Sequence, residues 1–154
     1  SEIHGLSQRG GSVSASITFG SRSFGFIDEG QADFFIGLEL LEARRALPYL
    51  HTQTRAVVDS VSIYPYSVAS GKAKYPDAEP LISYLKDNIQ ETVLVDIDTD
   101  QVGISYRNLY VLGKASNLGG FPIPTTAIEA AIGKSGSEKS RTNNLAMYKM
   151  GRGE

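Results

Sequence analysis

The chain of 154 residues has no cysteine. That absence excludes disulfides, thiolate metal sites, cysteine-ligated iron–sulfur clusters and cysteine nucleophiles, so any redox chemistry has to be borrowed from another chain. Neither sign of charge is in excess. Fifteen Lys and Arg against seventeen Asp and Glu leave a net charge of −2, which supplies no field to gather nucleic acid or anionic lipid. Long apolar runs are missing too: Phe34-Phe35-Ile36-Gly37-Leu38 is strand-sized, well short of the roughly 20 residues of a spanning helix, and no membrane crossing is expected. His4 and His51 are the only histidines, too few for a multi-histidine metal site within one chain. There is no Asn-x-Ser/Thr sequon and no signal-peptide pattern at the start, so a cytoplasmic setting is the default expectation.

What is present is ordinary globular material, with 41% hydrophobic and 21% charged residues and a mean hydropathy of −0.16. By size this is one domain with one core. From Ser12 to Gly20 apolar and polar residues alternate, with Val13, Ala15, Ile17 and Phe19 on one side, which predicts a half-buried strand. The turn Gly20-Ser21-Arg22 predicts a hairpin with a second strand over Ser23–Ile27. Asp33–Leu38, Arg55–Ser60 and Thr92–Ile97 have the composition of buried strands. Between them, residues 39–47 have the pattern of an amphipathic helix stopped by Pro48, and Asp77 is placed to cap a helix running to about Asn88, with Pro80 in its first turn. Residues 63–76 are expected as a loop with about one helical turn. Three further helices are expected: over Ile104–Leu118, from a capping box at Thr126 and Glu129, and from a second at Ser135 and Glu138. Strands alternating with helices in so short a chain predict a three-layer α/β/α sandwich around a mixed sheet.

The most unusual segment is the polar loop Ser1–Ser12, where Glu2, His4, Ser7, Gln8 and Arg9 stand among Gly5, Gly10 and Gly11. Glycines let backbone N–H groups converge on an anion, and arginine offers a forked donor to carboxylate or phosphate. His4, Gln8, Arg9, Gly10 and Gly11 are therefore candidates to face a ligand or an interface. The alternative is that Arg9 and Glu2 pair locally and the glycines only permit a turn. Other motifs fail on their spacing. An EF-hand loop starting at Asp96 requires Gly at 101 and a carboxylate at 107, where the chain has Gln101 and Arg107. Gly133-Lys134-Ser135 lacks the earlier glycine of a Walker loop, with Ile128 in its place. No Gly-x-Ser-x-Gly elbow occurs, and no catalytic triad emerges. His51 is expected in a surface role at a helix end, and the C-terminal basic residues on a solvated helix face. These residues describe a domain that assists, binds or assembles.

Several blocks carry a family likeness. Ser1-Glu2-Ile3-His4-Gly5-Leu6-Ser7-Gln8-Arg9-Gly10-Gly11-Ser12-Val13 resembles a segment of the β subunits of indolepyruvate:ferredoxin oxidoreductases, relatives of the γ subunit or domain of other 2-oxoacid:ferredoxin oxidoreductases. The likeness continues through Asp28-Glu29-Gly30-Gln31-Ala32-Asp33, Leu38–Ala43, Arg45–Leu50, Tyr75-Pro76, Arg107–Gly113 and Asn144–Gly151. It implies a γ-type α/β/α domain in an enzyme that oxidatively decarboxylates 2-oxoacids to acyl-coenzyme A and passes electrons to ferredoxin. Thiamine diphosphate, magnesium and the iron–sulfur clusters are expected on a large α subunit, none of them on this chain alone, with coenzyme A as co-substrate of the complex. Family members carry a strand, a Gly-rich turn and a helix upstream of the segment matching Ser1, a unit of roughly 30–40 residues. The resemblance thus implies an N-terminally incomplete domain, whose exposed strand edges favour pairing with another chain. Two other readings remain open: a stand-alone anion- or nucleotide-binding module of the same fold, and a structural remnant that forms homodimers.

Overall fold

The computed structural model describes residues 2–4, 13–20, 25–64 and 66–154. Two short strands, β1 (Glu2–His4) and β2 (Val13–Ala15), pair antiparallel with Ile3 opposite Ser14. The main sheet contains β3 (Phe34–Gly37), β4 (Arg55–Asp59) and β5 (Glu91–Val95), all parallel, in the order β3-β4-β5. In register, Ile36 faces Val57 and Val57 faces Val93.

The crossovers explain the layers. Helix α1 (Leu40–Ala46) links β3 to β4, and α3 (Ala78–Asn88) leads into β5 after the short α2 (Tyr66–Ala69). Successive parallel crossovers of one hand, stepping the same way across a sheet, put their helices on the same face. Accordingly Leu40, Ala43, Leu81 and Leu85 share a core with Ala56 and Val58 of the central strand. The other face belongs to α4 (Arg107–Ala115), whose Val111 and Ala115 pack with Val57 and Val95. The period-two rule of a strand is thus visible within β4, with Ala56 and Val58 on one face, Val57 on the other and all three fully buried. Each buried valine or leucine contributes about 1.5–3 kcal/mol relative to an exposed one.

Behind α4 lie α5 (Thr125–Ile132) and α6 (Glu138–Arg152), whose Ile128, Ile132 and Tyr148 form a third cluster. The α4–α6 crossing depends on two glycines. A Cβ at Gly113 collides with the Tyr148 carbonyl oxygen, and one at Gly151 with the Tyr110 carbonyl oxygen. The backbones touch where side chains would otherwise separate them.

The α/β sandwich agrees with the sequence pattern; among the described residues the three-stranded sheet is parallel and antiparallel pairing occurs in the β1–β2 ribbon. The hairpin is a correction. β2 takes β1 as its backbone partner, and of the expected second strand, residues 23 and 24 lie outside the described residues while Gly25–Ile27 form no strand. Ser16 Oγ donates to the Gly25 carbonyl, so a side chain ties the two arms where a ladder was expected. The alternating row of β2 is also not half-buried: Val13, Ala15, Ile17 and Phe19 are exposed. Two caps differ as well. Pro124, not Thr126, is the N-cap of α5, with an extended backbone (φ −59°, ψ 140°) and no side-chain cap, and Ser137, not Ser135, caps α6 by accepting from Ser140 N at 3.3 Å. Asp77 caps α3 as expected.

Gly113→Ala is expected to lower stability by about 1–3 kcal/mol, the usual cost of overpacking. Gly103→Ala, whose Cβ would make only an ordinary contact with the Tyr106 ring at 3.9 Å, is expected to lie close to wild type. Urea midpoints measure both, and a Gly113→Ala protein as stable as wild type would contradict the glycine crossing.

Candidate functional site

Ligands and partners of open parallel sheets meet the loops beyond the carboxyl ends of the strands. Here those loops are residues 38–39 after β3, 60–77 after β4 and 96–106 after β5. Buried hydrogen bonds knit them together.

The central tie is Asp59, the last residue of β4 and 1% exposed. Arg107, the first residue of α4, approaches it as a fork: Nε donates to Oδ2 at 2.7 Å and Nη2 to Oδ1 at 2.5 Å. Arg107 Nη1 donates to the Ile97 carbonyl at 2.8 Å, adding the loop after β5. The hydrogen bonds to Asp59 raise the arginine pKa further above its ordinary value against the opposing effect of burial, and the charges of Asp59, Asp96 and Asp98 add to the rise. Val61 N donates to Asp59 Oδ1 at 3.1 Å, and Ser60 Oγ to Asp96 Oδ1 at 3.2 Å. With Nε and both Nη atoms engaged, this guanidinium holds the loops in place and does not stand open to an anion.

A second tie is Glu39, 6% exposed. Its Oε2 accepts from Glu42 N at 3.1 Å and caps α1; its Oε1 accepts from Ile63 N at 3.4 Å and from the Tyr75 hydroxyl. One carboxylate therefore grips both ends of the long 60–77 loop. Burial of the Tyr75 hydroxyl, and then its bond to Glu39, hold the phenol pKa above the usual 10.0. Tyr64 lies edge-on to Tyr75 with ring centroids 5.2 Å apart.

Of the residues singled out from sequence, Gln8, Arg9, Gly10 and Gly11 lie outside the described residues, and His4 is described only as backbone in β1, opposite Val13. His51 sits in the turn before β4, where its Nδ1 accepts from Gln53 N at 3.2 Å and its Nε2 lies 3.8 Å from Asp33. Asp98 accepts from Asp100 N at 3.0 Å within an exposed turn. Asp59, Arg107, Glu39 and Tyr75 were not singled out as site residues. A signal existed for Asp59, since a carboxylate ending the buried run Ala56-Val57-Val58 requires a buried partner.

The comparisons with known proteins bear on what this edge serves. The family model described as pyruvate ferredoxin/flavodoxin oxidoreductase matches residues 1–154. The chain belongs to the pyruvate ferredoxin/flavodoxin oxidoreductase family. Among curated relatives, the indolepyruvate oxidoreductase subunit IorB of Archaeoglobus fulgidus is 32% identical, over 97% of this chain and 76% of that protein. The subunit of the same name from Methanothermobacter thermautotrophicus is 30% identical, over 86% of this chain and 69% of its own length, and that of Pyrococcus horikoshii 28% identical, over 97% and 77%. As in the sequence-based expectation, the chain is a subunit of a 2-oxoacid oxidoreductase of this family. With no cysteine, its residues supply no thiolate set for an iron–sulfur cluster. Among the described residues no three His, Asp or Glu side chains are grouped to hold a metal ion, and no helix is long and apolar enough to cross a membrane.

Arg107→Ala leaves the Asp59 carboxylate buried without its counter-charge, and a loss of about 3–5 kcal/mol is expected; Arg107→Lys, which keeps charge but loses the fork, is expected to fall between. Denaturant unfolding ranks the three proteins, and equal stability would remove the pair from its structural role. A raised phenol pKa means that the unfolded chain releases the Tyr75 proton first. The stabilisation is therefore fully present below pH 10.0 and is lost as pH rises through the folded pKa. Thermal melts from pH 8 to 11 should show a steeper alkaline decline in wild type than in Tyr75→Phe; parallel curves would refute it.

Proposed function

We propose that this chain is the smaller, cluster-free subunit of an indolepyruvate-type 2-oxoacid:ferredoxin oxidoreductase, forming one γ/β-type domain of that assembly. The observation that carries the reading is the family match over residues 1–154, joined by relatives that are named as one subunit of indolepyruvate oxidoreductase. The lack of cysteine supports the division of labour, because the cluster chemistry then needs another chain.

In this reading a large α subunit supplies thiamine diphosphate, magnesium and the iron–sulfur clusters. The 2-oxoacid is decarboxylated there, its acyl group leaves on coenzyme A, and two electrons pass to ferredoxin. The present chain contributes shape. Its Asp59–Arg107 and Glu39–Tyr75 ties fix the loops at the carboxyl edge of the sheet, and a fixed surface docks at lower entropic cost than a mobile one. His4, Gln8, Arg9, Gly10 and Gly11 remain the candidates to face the partner or a ligand anion, Arg9 through its forked charge. The reading places the complex in the cytoplasm.

Co-expression with the large, cluster-carrying subunit of an indolepyruvate oxidoreductase should yield a complex that reduces ferredoxin in the presence of an aryl pyruvate and coenzyme A. Omission of this chain should abolish or sharply reduce that turnover. Turnover that is unchanged without it, together with tight binding of coenzyme A or a nucleotide to the isolated chain, would transfer the assignment to a stand-alone binding module.

A further inference from the structure

The loop of residues 60–77 is held chiefly at its two ends. On the way out of β4, Val61 N donates to Asp59 Oδ1 at 3.1 Å and the Val61 carbonyl accepts from Leu40 N at 3.4 Å. On the way into α3, Asp77 accepts from Glu79 N at 3.3 Å and fixes the start of the helix. Between these anchors the bonds of α2 are local, from Ser70 N to the Tyr66 carbonyl at 2.8 Å and from Gly71 N to the Val68 carbonyl at 3.0 Å. Residues 69–74 are exposed throughout. A segment that buries so little opens at a free energy below that of the whole domain.

The two stems of the loop meet at one atom. Glu39 Oε1 accepts from Ile63 N at 3.4 Å on the outgoing stem and from the Tyr75 hydroxyl on the returning one, while Oε2 is committed to Glu42 N at 3.1 Å. Glu39 is buried, so its charge is tolerated only while hydrogen-bond donors stand in for water. When the Tyr75 hydroxyl departs, water has to enter to solvate the carboxylate, and that water competes for the same oxygen that holds Ile63 N. Each bond is therefore stronger with the other in place. Contacts between side chains add to the coupling. Tyr64, next to Ile63, lies edge-on to Tyr75, and Tyr75 and Pro76 line a small cleft with Leu40, Leu41 and Arg44 of α1, the helix that Glu39 caps.

We infer that Glu39 is a latch that makes the two stems of this loop, at Ile63 and at Tyr75, open and close together as one unit while the sheet beneath them stays folded. Separate ties, one to each stem, would let either end fray alone. A shared acceptor inside a buried site does not. The exposed residues Ile63, Tyr64 and Tyr66 then change position in a single step. This property belongs to the chain itself and stands apart from the subunit reading.

The test is amide hydrogen exchange on the full chain at neutral pH, with circular dichroism confirming the fold of each variant. Tyr75→Phe removes a hydroxyl from the returning stem alone. It is nevertheless expected to speed exchange of the Ile63 amide, on the other stem, by at least about tenfold, the order of effect of one hydrogen bond to a charged group. The amides of Val57 and Val58 in β4 are expected to keep their wild-type rates. Glu39→Gln, which keeps the shape and removes the charge, is expected to speed exchange on both stems. Combining it with Tyr75→Phe should give less than the product of the two separate effects, as for groups that share a partner. An Ile63 amide that ignores the Tyr75 substitution overturns the latch, because the stems then open independently, and effects that multiply in the double variant overturn it for the same reason. An equal acceleration at Val57 and Val58 also overturns it, since the opening is then that of the whole domain.

Discussion

The buried pairing of Asp59 with Arg107 is the constraint on which the arrangement of this molecule depends. Taking a carboxylate and a guanidinium out of water costs several kcal/mol each before their attraction is counted. The cost is offset only where the geometry is close to ideal, and here two parallel bonds plus a third to the Ile97 carbonyl supply it. A fork has one acceptable orientation, so α4 has one acceptable position over the sheet. If α4 slid along its axis by one turn, both charges would be buried unpaired. A hydrophobic contact tolerates such a shift far better, because apolar burial has little direction.

The placement of α4 then dictates the layer behind it. Gly113 and Gly151 bring α4 and α6 to backbone contact, and a crossing this close is possible only at the points where both helices lack a side chain. The sheet is therefore held on one face by the apolar packing of α1 and α3 and on the other by a helix located by charge and backed by a backbone-to-backbone crossing. Packing supplies most of the stability, and the ion pair with the two glycines supplies most of the specificity.

Much of the sandwich was legible because its signals are local. Three strands with continuous apolar runs, a proline ending α1 and an aspartate capping α3 speak within a few residues of themselves, and β3, β4, β5, α1 and α3 lie close to their expected positions. The ribbon was harder. The alternation from Val13 to Phe19 predicts one longer half-buried strand, but only Val13–Ala15 is a strand and the apolar side is exposed, because periodicity reveals that one side is apolar and not what covers it. The candidate site was least legible, since Asp59 and Arg107 are 48 residues apart and Glu39 and Tyr75 are 36 apart. Nothing in either member's neighbourhood announces the other. The block around Arg107 was visible as a family landmark, and the fold gives that landmark its physical reason.

Where this protein keeps its polar interior is instructive about its role. Both buried ties lie at the carboxyl ends of the strands, where the loops that could meet a partner begin. Neither offers an unengaged nucleophile, and neither is built as an open pocket. Glu39 is fully occupied with a helix cap, a backbone N–H and a tyrosine, and Arg107 with a carboxylate and a carbonyl. An enzyme active site usually keeps such groups available to substrate. A subunit whose task is to present a fixed surface uses them internally, because rigidity of the loops lowers the ordering cost of assembly. The costly polar groups of this chain thus go to holding an edge still.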